Sequence, residues 1–131
     1  MTRGKAGAFV AVPATAVALV AGGAAMAAGQ SAHPAAVKHT TLHLSADPHG
    51  QLKFTVKALS ATHGKITLVM KNPKGAVIDH GIGVKGKGHG KIVPAGSTTM
   101  FTATLKKGKY VFYCPVPGHA AAGMKGTLTV K

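Results

Sequence analysis

The sequence holds one cysteine, no tryptophan and no glutamate, and Asp47 and Asp79 are its only acids. A single cysteine forbids an internal disulfide, although small exported domains often depend on them. It also forbids a binuclear copper centre bridged by two thiolates. What replaces the disulfide is open, and a bound metal is one source of folding energy. An odd cysteine marks a free thiol or a ligand. Aromatics make up 5% of the chain, too few to offer stacking platforms to a nucleic acid.

What is abundant is positive charge. The formal net charge is +14, and fourteen lysines follow residue 31. Such a surface favours solubility first and acidic partners second: an acidic redox protein, an anionic lipid or an anionic envelope polymer.

The chain begins with Arg3 and Lys5, then runs uncharged from Ala6 to Gly29. Ala25-Met26-Ala27 supplies the small-residue cleavage pattern of a secretory signal. The rival reading is an uncleaved membrane anchor, since about 20 apolar residues span a bilayer. Residues 1–30 are therefore read as a signal peptide or N-terminal anchor, with the rest exported. No cysteine lies there to carry a lipid. Residues 31–40 read as a linker, and 41–131 as one domain.

Within that domain, short period-two runs are separated by turn residues. Strands are expected at 41–45, 52–57, 65–71, 76–78, 98–105, 109–113 and 126–130. Turns fall at 47–50, 63–64, 72–75, 94–96 and 106–108, where Gly, Pro, Asn and Asp cluster. The glycine–lysine segment 81–91 reads as a flexible basic loop or hairpin tip. No sustained helical period appears. The expected fold is an all-β sandwich.

One segment carries chemistry. Cys114, His119 and Met124 stand within eleven residues, between two expected strands. Each has a bland reading alone: a buried thiol, a loop imidazole, a core thioether. Together they make a soft donor set, and two histidines, one cysteine and a long axial methionine form a blue-copper electron-transfer centre. Zinc shares cysteine and histidine, but methionine is a poor zinc ligand. The second histidine must come from outside the loop. His80, after the expected strand at 76–78, is preferred. His89 is second choice, and His33, His39, His43, His49 and His63 read as ordinary exposed residues. Four protein ligands would leave no open position for a substrate, which argues against an enzyme.

The chain resembles the cupredoxins of the plastocyanin, azurin and halocyanin type. The resemblance rests on Lys71-Asn72-Pro73, the region of His80, Val93-Pro94-Ala95-Gly96 and the run Gly108 to Val130. It implies a Greek-key β-sandwich with one type 1 copper ion. By position, Cys114 would be the thiolate ligand, His119 the loop imidazole, His80 the upstream imidazole and Met124 the axial ligand. Pro115, Val116, Pro117 and Ala120 would form an apolar collar for electron exchange. Many cupredoxins have asparagine directly after the upstream histidine, tying the ligand loops together; here it is Gly81. Asp79, beside His80, is expected to accept the other imidazole N–H. The implied role is a monomeric one-electron carrier between redox partners. The alternative is a copper-binding or copper-delivery protein of the cell envelope.

Overall fold

The structure, a computed structural model, describes residues 36–131. The signal or anchor segment at 1–30 and the linker's first half lie outside the described residues. Eight strands form: β1 (His39–Ser45), β2 (Ala58–Ala61), β3 (Gly64–Lys71), β4 (Gly83–Val84), β5 (Gly88–His89), β6 (Thr98–Leu105), β7 (Gly108–Tyr113) and β8 (Lys125–Val130). They make two sheets, ordered β1-β3-β6 and β2-β8-β7-β4-β5. β1 runs parallel to β3 and β2 parallel to β8; the other pairs are antiparallel. Most connections cross between the sheets, while β4–β5 and β7–β8 stay within one, as in a Greek-key sandwich. Among the described residues no helix is long and apolar enough to cross a membrane.

Alternation explains the core. In β6, Thr99, Phe101, Ala103 and Leu105 turn inward while Thr98, Met100, Thr102 and Thr104 face out. β3 is the central strand of its sheet and buries Ile66, Leu68 and Met70. The facing sheet contributes Ile82, Val84, Phe112, Leu128 and Val130. Phe54 and Phe112 meet between the layers with ring centroids 5.6 Å apart.

Several expectations need correction. Residues 52–57 alternate in burial but form no strand; one isolated bridge joins Ala46 to Phe54. The pattern there records Phe54 plugging the core, while the backbone bonds its neighbours only piecemeal: the Lys53 carbonyl accepts from Asp47 at 3.0 Å, the Thr55 N–H donates to the Ser45 carbonyl at 2.9 Å and the Lys57 carbonyl accepts from Thr127 at 2.9 Å. Residues 76–78 are not a strand either. A 3-10 turn covers Lys74–Ala76, and Val77 takes a left-handed conformation at φ 56°. Gly75 is packed so closely on the Pro48 carbonyl that a Cβ would collide with it, so the chain turns tightly here. The linker boundary at 40 falls inside β1, which starts at His39, where the parallel ladder with β3 opens beside the Lys65 N–H bond to the Lys38 carbonyl at 2.9 Å. Of the two readings of 81–91, a flexible loop or a hairpin tip, the hairpin is the one that forms: β4 pairs with β5, and Gly81 to Val84 are buried. β2, β4 and β5 are too short to show a period.

Leu68 is 1% exposed and lies opposite Phe101 in the β3–β6 ladder. Leu68→Ala should therefore cost about 2–5 kcal/mol of stability. The measurement is a urea unfolding curve with unchanged slope and a lowered midpoint.

Candidate metal centre

Three donor-bearing side chains converge at one end of the sandwich. The Cys114 Sγ lies 3.8 Å from the His80 Nδ1 and 3.5 Å from the His119 Nδ1. All three donor atoms fall within 4.8 Å of one another. The two rings sit edge to face, centroids 5.1 Å apart. Metal–nitrogen and metal–sulfur bonds of about 2.0 and 2.3 Å, opened to about 120° in a trigonal site, would separate nitrogen from sulfur by about 3.7 Å. The observed spacings fit a single ion between them.

Backbone bonds set this geometry. Cys114 directly follows β7, and its N–H donates to the Met124 carbonyl at 3.0 Å; the Met124 N–H donates to the His119 carbonyl at 3.0 Å. The loop is thus closed on itself, with its three soft residues drawn together. Met124 is fully buried. His80 arrives from a segment 34 residues away, held by a two-way bridge to Val93: N–H to carbonyl at 3.1 Å and the reverse at 2.8 Å.

His80, Cys114 and Met124 are buried, whereas His119 is half-buried. Burial pushes the Cys114 thiol up, and the Gly81 and Val116 backbone amides oppose the rise. Burial, reinforced by His119 and opposed by Asp79, holds the His80 imidazolium below the ordinary histidine range. Both shifts favour the uncharged side chain, and a metal must displace the thiol proton to bind. Two imidazoles, a thiol and a buried thioether form a donor set that fits copper better than a hard ion.

The remaining expectations can be placed. His89 is exposed, bonds the Gly90 carbonyl at 2.8 Å through Nδ1, and does not join the cluster. His39, His43, His49 and His63 are exposed as well; His33 lies outside the described residues. Asp79 does not accept from His80, whose buried Nε2 has no hydrogen-bond partner among the described residues. Adjacent residues of extended backbone point to opposite sides, so burying His80 turns Asp79 into solvent. Gly81 makes no side-chain tie but packs on Pro115, where an added Cβ would lie 2.9 Å from its Cγ. Pro115, Val116 and Ala120 are half-buried and Pro117 is exposed, around His119.

The residue missed as a brace is Asn72. It is fully buried, and its Nδ2 donates to the Ile78 carbonyl at 2.9 Å and the Val93 carbonyl at 3.0 Å. It thus clamps both sides of the His80 bridge. The signal was an asparagine opening the turn before His80, within the Lys71-Asn72-Pro73 stretch that also carries the resemblance.

A β-sandwich that closes two imidazoles and a thiol beneath one loop is the build of a cupredoxin. The chain belongs to the plastocyanin/azurin family of copper binding proteins, whose model matches residues 35–131. Its cofactor is copper. Azurin from Pseudomonas fluorescens biotype C is 49% identical over 47 residues, covering 33% of this chain and 36% of that azurin. The chain thus matches over about a third of the length of the azurins it resembles. Auracyanin B superposes with a TM-score of 0.64 at 24% identity, covering 70% of this chain and 88% of that one. Dithionite-reduced auracyanin from Roseiflexus castenholzii gives 0.61 at 25%, covering 72% and 98%.

Two predictions follow from the braces and the buried imidazole. Asn72→Ala should cost about 1–3 kcal/mol by leaving the Ile78 and Val93 carbonyls short of a donor. Hydrogen exchange should quicken at His80 and Val93 before it does in β3. The second concerns acid. The unfolded chain binds a proton at His80 near pH 6.5, whereas the folded chain resists it to lower pH. The stability contributed by neutral His80 is complete above that value and is lost as pH falls below it. The metal-free protein should melt earlier at pH 5 than at pH 7, and His80→Gln should flatten that slope.

Proposed function

We propose that His80, Cys114, His119 and Met124 hold one copper ion, and that the protein is an exported one-electron carrier. The observation that carries this reading is the triad of Nδ1, Nδ1 and Sγ within 4.8 Å, walled from water except at His119. Bound there, copper supplies a one-electron redox couple.

The chain's own residues do the rest. The Val93 bridge and the backbone closure of the loop fix the donor atoms, so a change of charge leaves little to rearrange. Buried His80, Cys114 and Met124 keep water out of the site. His119 is the least buried of the four, and it is the contact point for electrons entering or leaving. The collar of Pro115, Val116, Pro117 and Ala120 lets a partner dock there briefly without a large desolvation cost. With every donor position supplied by protein, no place is left for a substrate, and the protein is not an enzyme. The partner is a redox protein, and the lysine surface favours an acidic one. The Ala-rich start with its cleavage pattern supports export, whether the segment is removed or retained as an anchor.

The test is to add Cu(II) to the protein and to its Cys114→Ser variant, then record visible absorption and EPR spectra. Intense blue absorption with a small copper hyperfine splitting, absent from the variant, is expected. Equal pale spectra would place copper on surface histidines and end this reading. Reversible one-electron cycling in voltammetry distinguishes a carrier from a delivery protein, which would instead surrender Cu(I) to an acceptor.

A further inference from the structure

The outer face of the second sheet carries a groove of about 710 Å³. Its lining includes Lys57, Lys85, Lys125, Val111, Tyr113 and Ala120. The floor is apolar because Val111 and Tyr113 share the outward face of β7, with inward Phe112 between them. The rim is cationic, and its lysines are placed by backbone pairing rather than by chance. The Lys85 N–H donates to the Val111 carbonyl at 2.8 Å, on one side of the floor. On the other side the Lys57 carbonyl accepts from Thr127 at 2.9 Å. Lys125 lies directly opposite Tyr113 in the β7–β8 ladder.

No acid answers these lysines. Asp47 is engaged by Lys53 at 3.6 Å, and neither it nor Asp79 lines the groove. Three ammonium groups around one apolar floor repel one another until an anion joins them. The volume is that of a small-molecule site, which typically spans about 300–1,000 Å³.

We propose that this groove binds a small amphiphilic anion: a flat apolar body carrying one sulfonate, carboxylate or phosphate head. The body lies on Val111 and Tyr113 against the wall at Ala120, and the head meets the lysines. The site is separate from the copper centre, since its lining contains none of the four candidate ligands. It is nonetheless adjacent in the chain: Tyr113 precedes Cys114, Ala120 follows His119 and Lys125 follows Met124. An occupant would therefore sit against the outside of the loop that carries those residues.

The test is nitrogen-15 NMR of the full chain, metal-free and again with Cu(I), titrated with naphthalene-2-sulfonate. Its neutral counterpart, 2-naphthalenemethanol, and hexaglutamate are titrated in parallel. Saturable shifts at Val111, Tyr113 and Ala120 are expected with the sulfonate in both metal states. Binding should weaken by about tenfold or more in Lys57→Glu/Lys125→Glu, a change at exposed positions whose folding is checked by its melting curve. Absence of saturation, shifts centred elsewhere, or equal binding of the neutral compound would overturn the proposal. Tighter binding of hexaglutamate at the same amides would overturn it too and make the groove a docking face for an acidic protein. A dependence on copper is not expected, so failure here leaves the copper reading untouched.

Discussion

The structure depends on bringing two polar side chains, His80 and Cys114, into the dry end of a sandwich from segments 34 residues apart. Among the described residues neither has an ionic partner there, and the His80 Nε2 has no hydrogen-bond partner. An unmade bond of this kind costs about 1–3 kcal/mol. Local structure cannot offset that cost, because the 3-10 turn before His80 and the turns after Cys114 are not strongly self-stabilising. The offset comes from the layers beneath. Ile82 and Phe112, each two residues from a ligand position, are fully buried, and they fasten both segments to one core. The loop is held in shape because its neighbours in sequence cannot leave the core.

That division of labour explains what was legible in the sequence. β6 and β8 alternate over six to eight residues; β6 pairs with β3 along one side and β8 with β2 and β7 along both, and each keeps one face on the core. Period and structure therefore agree. Residues 52–57 show the limit of the argument: Phe54 is 3% exposed, yet the segment has only one bridge. Burial alternation reports which side chains face the core and is silent on whether a second strand bonds the backbone. The loop from Cys114 to Met124 was readable because its soft donors are close in sequence. His80 was less so, since its approach depends on the Val93 bridge and on Asn72, both set by tertiary contact. The misreading of Asp79 has the same root: the sequence places it next to the imidazole, and extended backbone points it away.

Charge is partitioned as strictly as apolarity. Every lysine described is exposed except Lys53, which is half-buried beside Asp47. Burial alone would raise the Asp47 carboxyl, but the amides of His49 and Gln51 and the Lys53 ammonium outweigh it and hold the group below the ordinary carboxylate range. The one buried acid thus serves a turn, and the other, Asp79, stands in solvent. The positive field outside is left almost uncompensated. A metal centre of neutral imidazoles and one thiolate adds only a small charge of its own, so the field sensed by an approaching partner is set by lysines rather than by the site.

Gly81 shows how the end of the sandwich is held without a polar tie. With asparagine after the upstream histidine, a side chain could bond across to the other ligand loop. Glycine removes that bond but lets Pro115 pack against the backbone, with Ile92 3.4 Å from where a Cβ would stand. The contact is apolar, and proline loses little conformational freedom in making it. The polar work moves one layer down to Asn72, which bonds two carbonyls from a fully buried position. A hydrogen bond placed there is shielded from water, whereas one at the loop surface would compete with it. Restoring a side chain at 81 would therefore not simply add a brace. It would first have to displace Pro115, the residue that follows the Cys114 thiolate position and covers it from outside.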